Sequence, residues 1–252
     1  VPTIEQGKWK GIEQPLIVSP DSAYYVKFAK LFYECQKEVF GDITHFYAGD
    51  IGHEGGKLDK GSAKDSYTNV METLLQYDQE AMWIVQCWAL NPNKLFTKSV
   101  KAYRDNHILM LDLNTEKINH NANNFSRLSK YGNVLCGLLN NFGGRHGLYG
   151  DSCYVVSFNR YISFDTYLHC VSHGLYGDIN KIPDMVKNAS QRPNFKGIAL
   201  TAESTQVNPI VTDIFFSTIW EDIDSVKEWS KKYATRRYGK ESETINKSME
   251  IL

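Results

Sequence analysis

The sequence lacks several features that would assign it quickly to a class of protein. Its 252 residues contain no apolar run that approaches about 18 residues, so no membrane-spanning helix and no membrane partner are predicted. Basic and acidic residues balance, at 28 Lys and Arg against 29 Asp and Glu, and no long basic run occurs. The electrostatic footprint of a nucleic-acid-binding protein is therefore missing, and no nucleic-acid partner is predicted.

Cysteine is scarce and poorly placed for a metal centre. The five cysteines are widely spaced and odd in number, and no Cys-x-x-Cys pair occurs. Because zinc clusters and redox sites use such close pairs, the sequence predicts neither. Cys87 and Cys136 fall inside apolar runs, where a thiol behaves as a small buried hydrophobic group.

Short apolar runs alternate with amphipathic segments along the chain. The runs predict strands at 43–49, 82–88, 107–113, 133–141 and 196–203, besides a short strand at 16–18. The amphipathic segments predict helices at about 21–40, 65–78, 91–104, 207–220 and 223–238, and one more in the tail. This alternation is typical of parallel βαβ units, either in a barrel or in a doubly wound nucleotide-binding sheet. No strand is followed by a glycine-rich phosphate loop, which disfavours the second architecture.

Polar and aromatic side chains gather where the predicted strands end. Asp50 and Glu54 follow the first of the five strands, Trp88 and Asn141 end two others, and Glu203 ends the last. In a barrel of parallel strands the active site is built at the carboxyl ends, so these residues are candidates for a site.

Structural interpretations stand beside the catalytic ones. Glu54 fits a solvated loop acid, and Glu203 fits the first turn of the following helix, which favours a negative charge. Asp112, at the end of the third strand, is interpreted as a structural hydrogen-bonding acid. Trp83 and Trp88 are five residues apart in a strand, so they face opposite ways and one of them belongs to the core.

One internal repeat interrupts the pattern. The hexapeptide His-Gly-Leu-Tyr-Gly-Asp at 146–151 recurs at 173–178, and a single pair of repeats is too short for a solenoid. We interpret residues 152–178 as an insertion bounded by a duplicated edge, which arose either by tandem duplication or by an error in the gene sequence.

Five segments in order resemble the lysosomal-type alpha-N-acetylglucosaminidases, which are retaining exo-glycosidases with bacterial relatives. The segments lie at 47–54, 82–88, 111–113, 141–147 and 197–203. Leaving out residues 152–178 restores the family's spacing between the Phe-Gly-Gly loop and Glu203. Downstream, the run Arg-Arg-Tyr-Gly at 236–239 resembles the opening of the family's all-helical C-terminal region.

The resemblance implies two catalytic carboxyls. Glu54 matches the general acid/base of the family and Glu203 matches its nucleophile. Retaining hydrolysis needs two carboxyls about 5–5.5 Å apart, one to protonate the departing oxygen and one to attack the anomeric carbon. In an α-linked 2-acetamido sugar the acetamido group shares the face of the leaving group, so the protein must supply the nucleophile. No metal or organic cofactor is required.

The resemblance also implies a sugar pocket. Trp88, Asn141 and Phe142 match residues that line the pocket for the terminal sugar, and His53 stands where relatives carry Asn or His. Asp50 is available to the sugar's hydroxyls or acetamide. The implied substrate is a glycan with terminal α-linked N-acetylglucosamine, with heparan-type glycans as candidates, and the implied compartment is lysosomal or secreted.

The fold class that follows is α/β. Residues 1–220 are predicted to form a partial (β/α)8 TIM-type barrel, and residues 221–252 begin the all-helical C-terminal region. A closed barrel has eight strands, so the missing N-terminal half of the same enzyme is the expected partner. An open parallel sheet exposes edge groups and apolar faces, so the isolated chain is expected to be marginally stable or insoluble. The alternative function is a catalytically inactive sugar-binding or structural fragment.

Overall fold

The structure is a computed structural model of the chain. It describes residues 1–9, 11–49, 51, 63–87, 94–113, 129–138, 179–201 and 209–249. The proposed insertion at 152–178 lies outside these residues. No helix in the described part of the chain is long and apolar enough to cross a bilayer.

Two short antiparallel ladders precede the first helix. Strand β1 (Thr3–Ile4) pairs with β4 (Ile17–Val18), and β2 (Lys8–Trp9) pairs with β3 (Ile12–Glu13). Of these four, only β4 lies in a predicted strand, because it alone falls within an apolar run of three residues at 16–18. Gly11 has φ of +84°, a conformation that glycine adopts without steric cost and that lets β2 turn into β3.

Helix α1 spans Ala23–Phe40, as predicted. The Ser22 hydroxyl accepts a hydrogen bond of 3.2 Å from the Tyr25 amide and caps the first turn. At the other end Gly41 has φ of +78°, which only glycine adopts readily, and the helix stops there.

The buried face of α1 differs from the expected one. The sequence predicts an apolar stripe of Tyr25, Phe28, Ala29, Phe32 and Cys35, yet of these five only Ala29 is buried and Tyr25 is half-buried. The other three are exposed. The difference arises because α1 packs mainly on one neighbouring helix.

Five strands form a parallel sheet in the order in which they occur in the chain. They are β5 (Phe46–Ala48), β6 (Met82–Cys87), β7 (Ile108–Asp112), β8 (Gly132–Leu138) and β9 (Phe195–Thr201). In the register of the first pair, Tyr47 lies opposite Trp83. The predicted α/β class and all five predicted strands are confirmed. β5 is shorter than expected, since the Thr44 hydroxyl accepts the amide hydrogen bond of Phe46 just before the strand.

The remaining helices connect or follow these strands. They are α2 (Ala63–Tyr77), α3 (Lys94–Ser99), α4 (Ile182–Ser190), α5 (Pro209–Ser217), α6 (Val226–Tyr238) and α7 (Glu243–Met249). The predicted helix at 91–104 is split, because α3 ends at Ser99 and a 3-10 turn follows over Lys101–Tyr103. Helix α4 was not predicted, although its four buried residues fall at helical spacing and Pro183 opens it.

The chain divides into two compact units, and each has its own core. Unit 1 holds Val1–Leu111 and Ser126–Asn133, whereas unit 2 holds Asp112–Phe125 and Val134–Leu252. Fully buried side chains of unit 1 include Met71, Leu74, Trp83, Val100 and Met110. Those of unit 2 include Leu135, Ile182, Ile210, Ile214 and Phe215. The expected boundary at residue 220 between barrel and helical region stays a prediction.

Candidate active site

All seven predicted site residues lie outside the part of the chain that the structure describes. They are Asp50, His53, Glu54, Trp88, Asn141, Phe142 and Glu203. The described residues instead form the strands that lead into these segments, together with the side chains that hold the strand ends.

Each candidate follows the carboxyl end of a strand in the five-stranded sheet. β5 ends at Ala48, β6 at Cys87, β8 at Leu138 and β9 at Thr201. Every candidate lies within six residues after one of these ends. Parallel α/β folds build their sites in this position, because the loops that follow the strands vary without disturbing the core.

The point at which the chain leaves β5 is held by a buried tryptophan. Trp83 Nε1 donates a hydrogen bond of 2.7 Å to the carbonyl oxygen of Gly49, the residue before Asp50. Only 2% of Trp83 is exposed, and its ring meets Phe96 edge to face with centroids 5.5 Å apart. Of the tryptophan pair in this strand, Trp83 is therefore the core member, and Trp88 lies beyond the described residues.

Two of the three cysteines that the structure describes lie in the core. Cys87 and Cys136 are buried, as predicted. Cys87 Sγ lies 3.6 Å from Met110 Sδ, which packs the end of β6 against β7 one residue before Trp88. Cys35 is exposed on α1. Among the residues that the structure describes, no group of three or more His, Cys, Asp or Glu side chains could hold a metal ion.

Asp112, at the end of β7, forms an ion pair within unit 2. Asp112 Oδ2 accepts a hydrogen bond of 2.7 Å from Arg192 Nη1, and the two side chains are only 2% and 11% exposed. A buried carboxylate paired with a guanidinium needs this partner to offset the loss of hydration. The geometry supports the structural interpretation of Asp112.

A second polar cluster lies at the amino ends of β5 and β6. His45 Nδ1 lies 2.8 Å from Asp78 Oδ2 and His45 Nε2 lies 3.2 Å from Glu80 Oε2. The Tyr47 hydroxyl donates to Asp78 Oδ2 at 3.0 Å. Sequence analysis did not find this cluster, because its members come from two loops that only the parallel pairing brings together. In parallel α/β folds this end of the strands is associated with stability rather than catalysis.

The ionisation of these groups follows from their contacts. The hydrogen bond to Asp78 raises the pKa of His45. Burial would raise the pKa of Asp78, but hydrogen bonds from His45, the Glu80 amide and Tyr47 together lower it. Burial, followed by the bond to Asp78, raises the pKa of Tyr47. The cluster therefore favours an ionised His45–Asp78 pair.

Residues 1–222 match the protein family described as the alpha-N-acetylglucosaminidase (NAGLU) tim-barrel domain. The chain belongs to this family. The resemblance seen in the sequence and the partial barrel architecture are thereby confirmed.

Solved structures of a family 89 glycoside hydrolase from Clostridium perfringens share the fold with a TM-score of 0.73. Two of them, each 27% identical to this chain, are complexes with 2-acetamido-1,2-dideoxynojirmycin and with PUGNAc. The third, 26% identical, carries two Glu→Gln substitutions and is a complex with its substrate GlcNAc-alpha-1,4-galactose. Each match covers 99% of this chain and 25% of the other, so the chain spans a quarter of the length of these relatives. A comparison with curated protein sequences finds no match.

Proposed function

We propose that this chain is the catalytic segment of a retaining exo-α-N-acetylglucosaminidase. It removes terminal α-linked N-acetylglucosamine from glycans, heparan-type glycans among them, by double displacement. Glu54 is the general acid/base and Glu203 is the nucleophile. The observation that carries the proposal is the family match over residues 1–222, in a chain whose candidate glutamates both follow strand ends.

The strand order supports this pair of carboxyls. Glu54 follows β5 and Glu203 follows β9, and these are the two outer strands of the five-stranded order. They are four steps apart, and strands four steps apart face each other across the mouth of an eight-stranded barrel. A retaining enzyme holds a sugar ring between two carboxyls at the mouth of such a barrel, which is the role proposed for this pair.

The spacing along the chain supports the same pair. In the Clostridium perfringens complex with substrate, two glutamates are replaced by glutamine. Once residues 152–178 of this chain are left out, Glu54 and Glu203 are separated by the same number of residues as those two glutamates, to within a few positions.

The chemistry assigns a task to each candidate. Glu54 holds its proton near the working pH until the glycosidic oxygen departs, which requires a raised pKa. Glu203 forms the covalent glycosyl intermediate, and water activated by Glu54 then releases the sugar with retention. Trp88 and Phe142 provide apolar faces for the sugar ring.

Three polar residues complete the proposed pocket. Asp50 and Asn141 bind hydroxyl or acetamide groups, and His53 contributes to the same wall. The second candidate is a catalytically inactive sugar-binding or structural fragment, which is favoured by the five parallel strands among the described residues, fewer than the eight of a closed barrel. In the active reading, the missing N-terminal half of the enzyme supplies the remaining barrel strands.

The test is the hydrolysis of aryl α-N-acetylglucosaminides by the full gene product that contains this chain. Glu203→Gln should abolish release from every substrate. Glu54→Gln should abolish release of a poor leaving group. With a strongly activated aryl group it should give a burst of about one enzyme equivalent followed by slow turnover, because departure then needs no acid but hydrolysis of the glycosyl intermediate still needs the base. Glu80→Gln, at the opposite end of the strands, is the matched control and should leave release unchanged. Equal release by all variants would overturn the assignment, and an inert full gene product would favour the inactive fragment.

A further inference from the structure

A basic cavity of about 260 Å³ lies in unit 1, near the amino ends of β7 and β8. It is bounded by the connection from β6 to β7 and by the two residues that precede β8. The candidate glutamates follow the carboxyl ends of strands, whereas these residues precede the amino ends. The described residues that line the cavity are Thr97, Lys98, Lys101, Arg104, Lys130 and Tyr131.

The inner wall of the cavity belongs to the core of unit 1. Tyr131 is only 3% exposed, and its hydroxyl donates a hydrogen bond of 3.0 Å to the Thr97 carbonyl oxygen. This bond joins α3 to the residue before β8. Phe96 and Val100, which flank the lining residues of α3, are buried in the same core. The cavity is therefore held in place by packed side chains and not by an exposed loop alone.

Four positive side chains from two segments share this cavity. Lys98 lies in the last turn of α3, Lys101 begins the 3-10 turn and Arg104 follows that turn. Residues three apart in a 3-10 turn lie nearly above one another, which brings the side chains at this interval to the same side. Lys130 reaches the cavity from the segment that precedes β8.

No acidic side chain is among the described residues that line the cavity. Of the four cations, Arg104 alone forms an ion pair with another described residue, from Nε to Asp105 Oδ1 at 3.1 Å. Lys98, Lys101 and Lys130 form none within the described ranges. A cleft lined by one sign of charge focuses its field and concentrates ions of the opposite sign. The cavity therefore favours an anion.

A structural role accounts for only part of this arrangement. Lys98 stands at the carboxyl end of α3, where the unpaired carbonyl groups of the helix favour a positive charge. Arg104 and Lys130 lie outside that helix, and Lys130 belongs to a different segment. Interaction with a helix end does not explain why all four cations line the same space.

We propose that this cavity binds a tetrahedral oxyanion of the sulfate or phosphate type. The planar guanidinium of Arg104 matches two oxygens of such an anion, and the ammonium groups of the three lysines supply further donors. A free ion and a sulfate ester on a glycan chain present the same kind of oxygens, so the chemistry of the cavity admits both sources. The proposal goes beyond the proposed glycosidase function and does not rest on it.

Equilibrium dialysis of the full gene product against radiolabelled sulfate, at an ionic strength fixed with NaCl, measures the binding. We expect saturable binding. Lys101→Met combined with Lys130→Met should weaken it at least about tenfold, since each change removes a charge-assisted hydrogen bond. Lys232→Met combined with Lys240→Met is the matched control, because it removes the same charge from exposed positions on and after α6 and should leave the affinity unchanged.

Two results would overturn the proposal. One is sulfate uptake that does not saturate, and the other is equal weakening in the two double variants, which would show only a general effect of net charge. Arg104→Met is a second, independent variant and should also weaken sulfate binding at least about tenfold, because it removes the guanidinium fork. Full affinity in Arg104→Met would contradict the site as well.

Competition against labelled sulfate separates the two sources of the oxyanion. Displacement by a sulfated heparin disaccharide at a lower concentration than by inorganic sulfate or phosphate would identify an ester on a glycan, and the reverse order would identify the free ion. Displacement by the desulfated disaccharide would overturn the assignment to an oxyanion. The readout does not use glycoside hydrolysis: sulfate binding without hydrolysis would refute only the proposed function, and hydrolysis without saturable sulfate binding would refute only this site.

Discussion

Arg192 and Asp112, eighty residues apart in the sequence, form a buried ion pair of 2.7 Å that ties the turn before β9 to the end of β7. Both side chains are buried, so the ion pair offsets much of the hydration free energy that each charge loses. The pair therefore restrains β9, the strand that leads to Glu203.

Arg192→Met should reduce the free energy of unfolding by about 3–5 kcal/mol, because it removes the guanidinium that is paired with a buried carboxylate. Urea denaturation of the full gene product that contains this chain, followed by tryptophan fluorescence, measures the change. Lys247→Met breaks an exposed ion pair with Glu243 and is the control, expected to cost less than about 1 kcal/mol. Similar losses of unfolding free energy in the two variants would show that the Arg192–Asp112 pair contributes no more than an exposed ion pair.

Trp83→Phe should cost about 1–2 kcal/mol, since it keeps an aromatic ring against Phe96 but removes the hydrogen bond to the Gly49 carbonyl. In the full gene product it should also lower glycosidase turnover, because Gly49 leads into the segment that carries Glu54. Trp220, which is 85% exposed, offers the control Trp220→Phe, with no change expected in either quantity. Unaltered stability in Trp83→Phe would argue against an anchoring role.

The His45–Asp78 pair predicts a pH dependence of stability. The pKa of His45 is raised in the folded chain, so its contribution is complete below about pH 6.5 and is lost as the pH rises through the raised value. The pKa of Asp78 is lowered, so its contribution is complete above about pH 3.9 and is lost as the pH falls through the lowered value.

The pair should therefore stabilise the chain most between these limits, and stability should fall as the pH rises above about 6.5 through the raised pKa of His45. His45→Gln should remove this fall. Asp78→Asn should remove most of it, because Asp78 is the main cause of the raised pKa of His45 while Glu80 still faces the ring. Unfolding by urea at a series of pH values measures the effect. A decline that persists in both variants would have to come from other groups.

Ser225→Ala should reduce stability by about 1 kcal/mol, since the Ser225 hydroxyl accepts the Glu228 amide and caps α6. Ser248→Ala is the control. The Ser248 hydroxyl donates to the Thr244 carbonyl within the same helix, so its loss should leave the free energy of unfolding almost unchanged. The same urea titration compares the two variants, and an equal loss in both would contradict the capping role.

The sequence by itself determined the class of fold, the five strands, most of the helices and the family. These features rest on local signals: Ser22 and Gly41 mark the ends of α1 through hydrogen bonds and dihedral angles of neighbouring residues, and the strands show as apolar runs. The candidate glutamates also came from the sequence, since motif order along the chain identifies them. Helix α4 was within reach, because the spacing of Ile182, Met185, Val186 and Ala189 is helical.

Only the tertiary structure decided which of the apolar residues lie in the core and what the polar ones bind. It placed Trp83 in the core, paired Asp112 with Arg192, joined His45 to Asp78 and left Phe28 and Phe32 on the surface. The physical reason is that a hydrophobic period shows that a face is apolar but not what covers it. Which side chains cover an apolar face, and which charges pair, depends on contacts between residues that are distant in the chain. Those contacts form only when the strands are paired in the folded sheet.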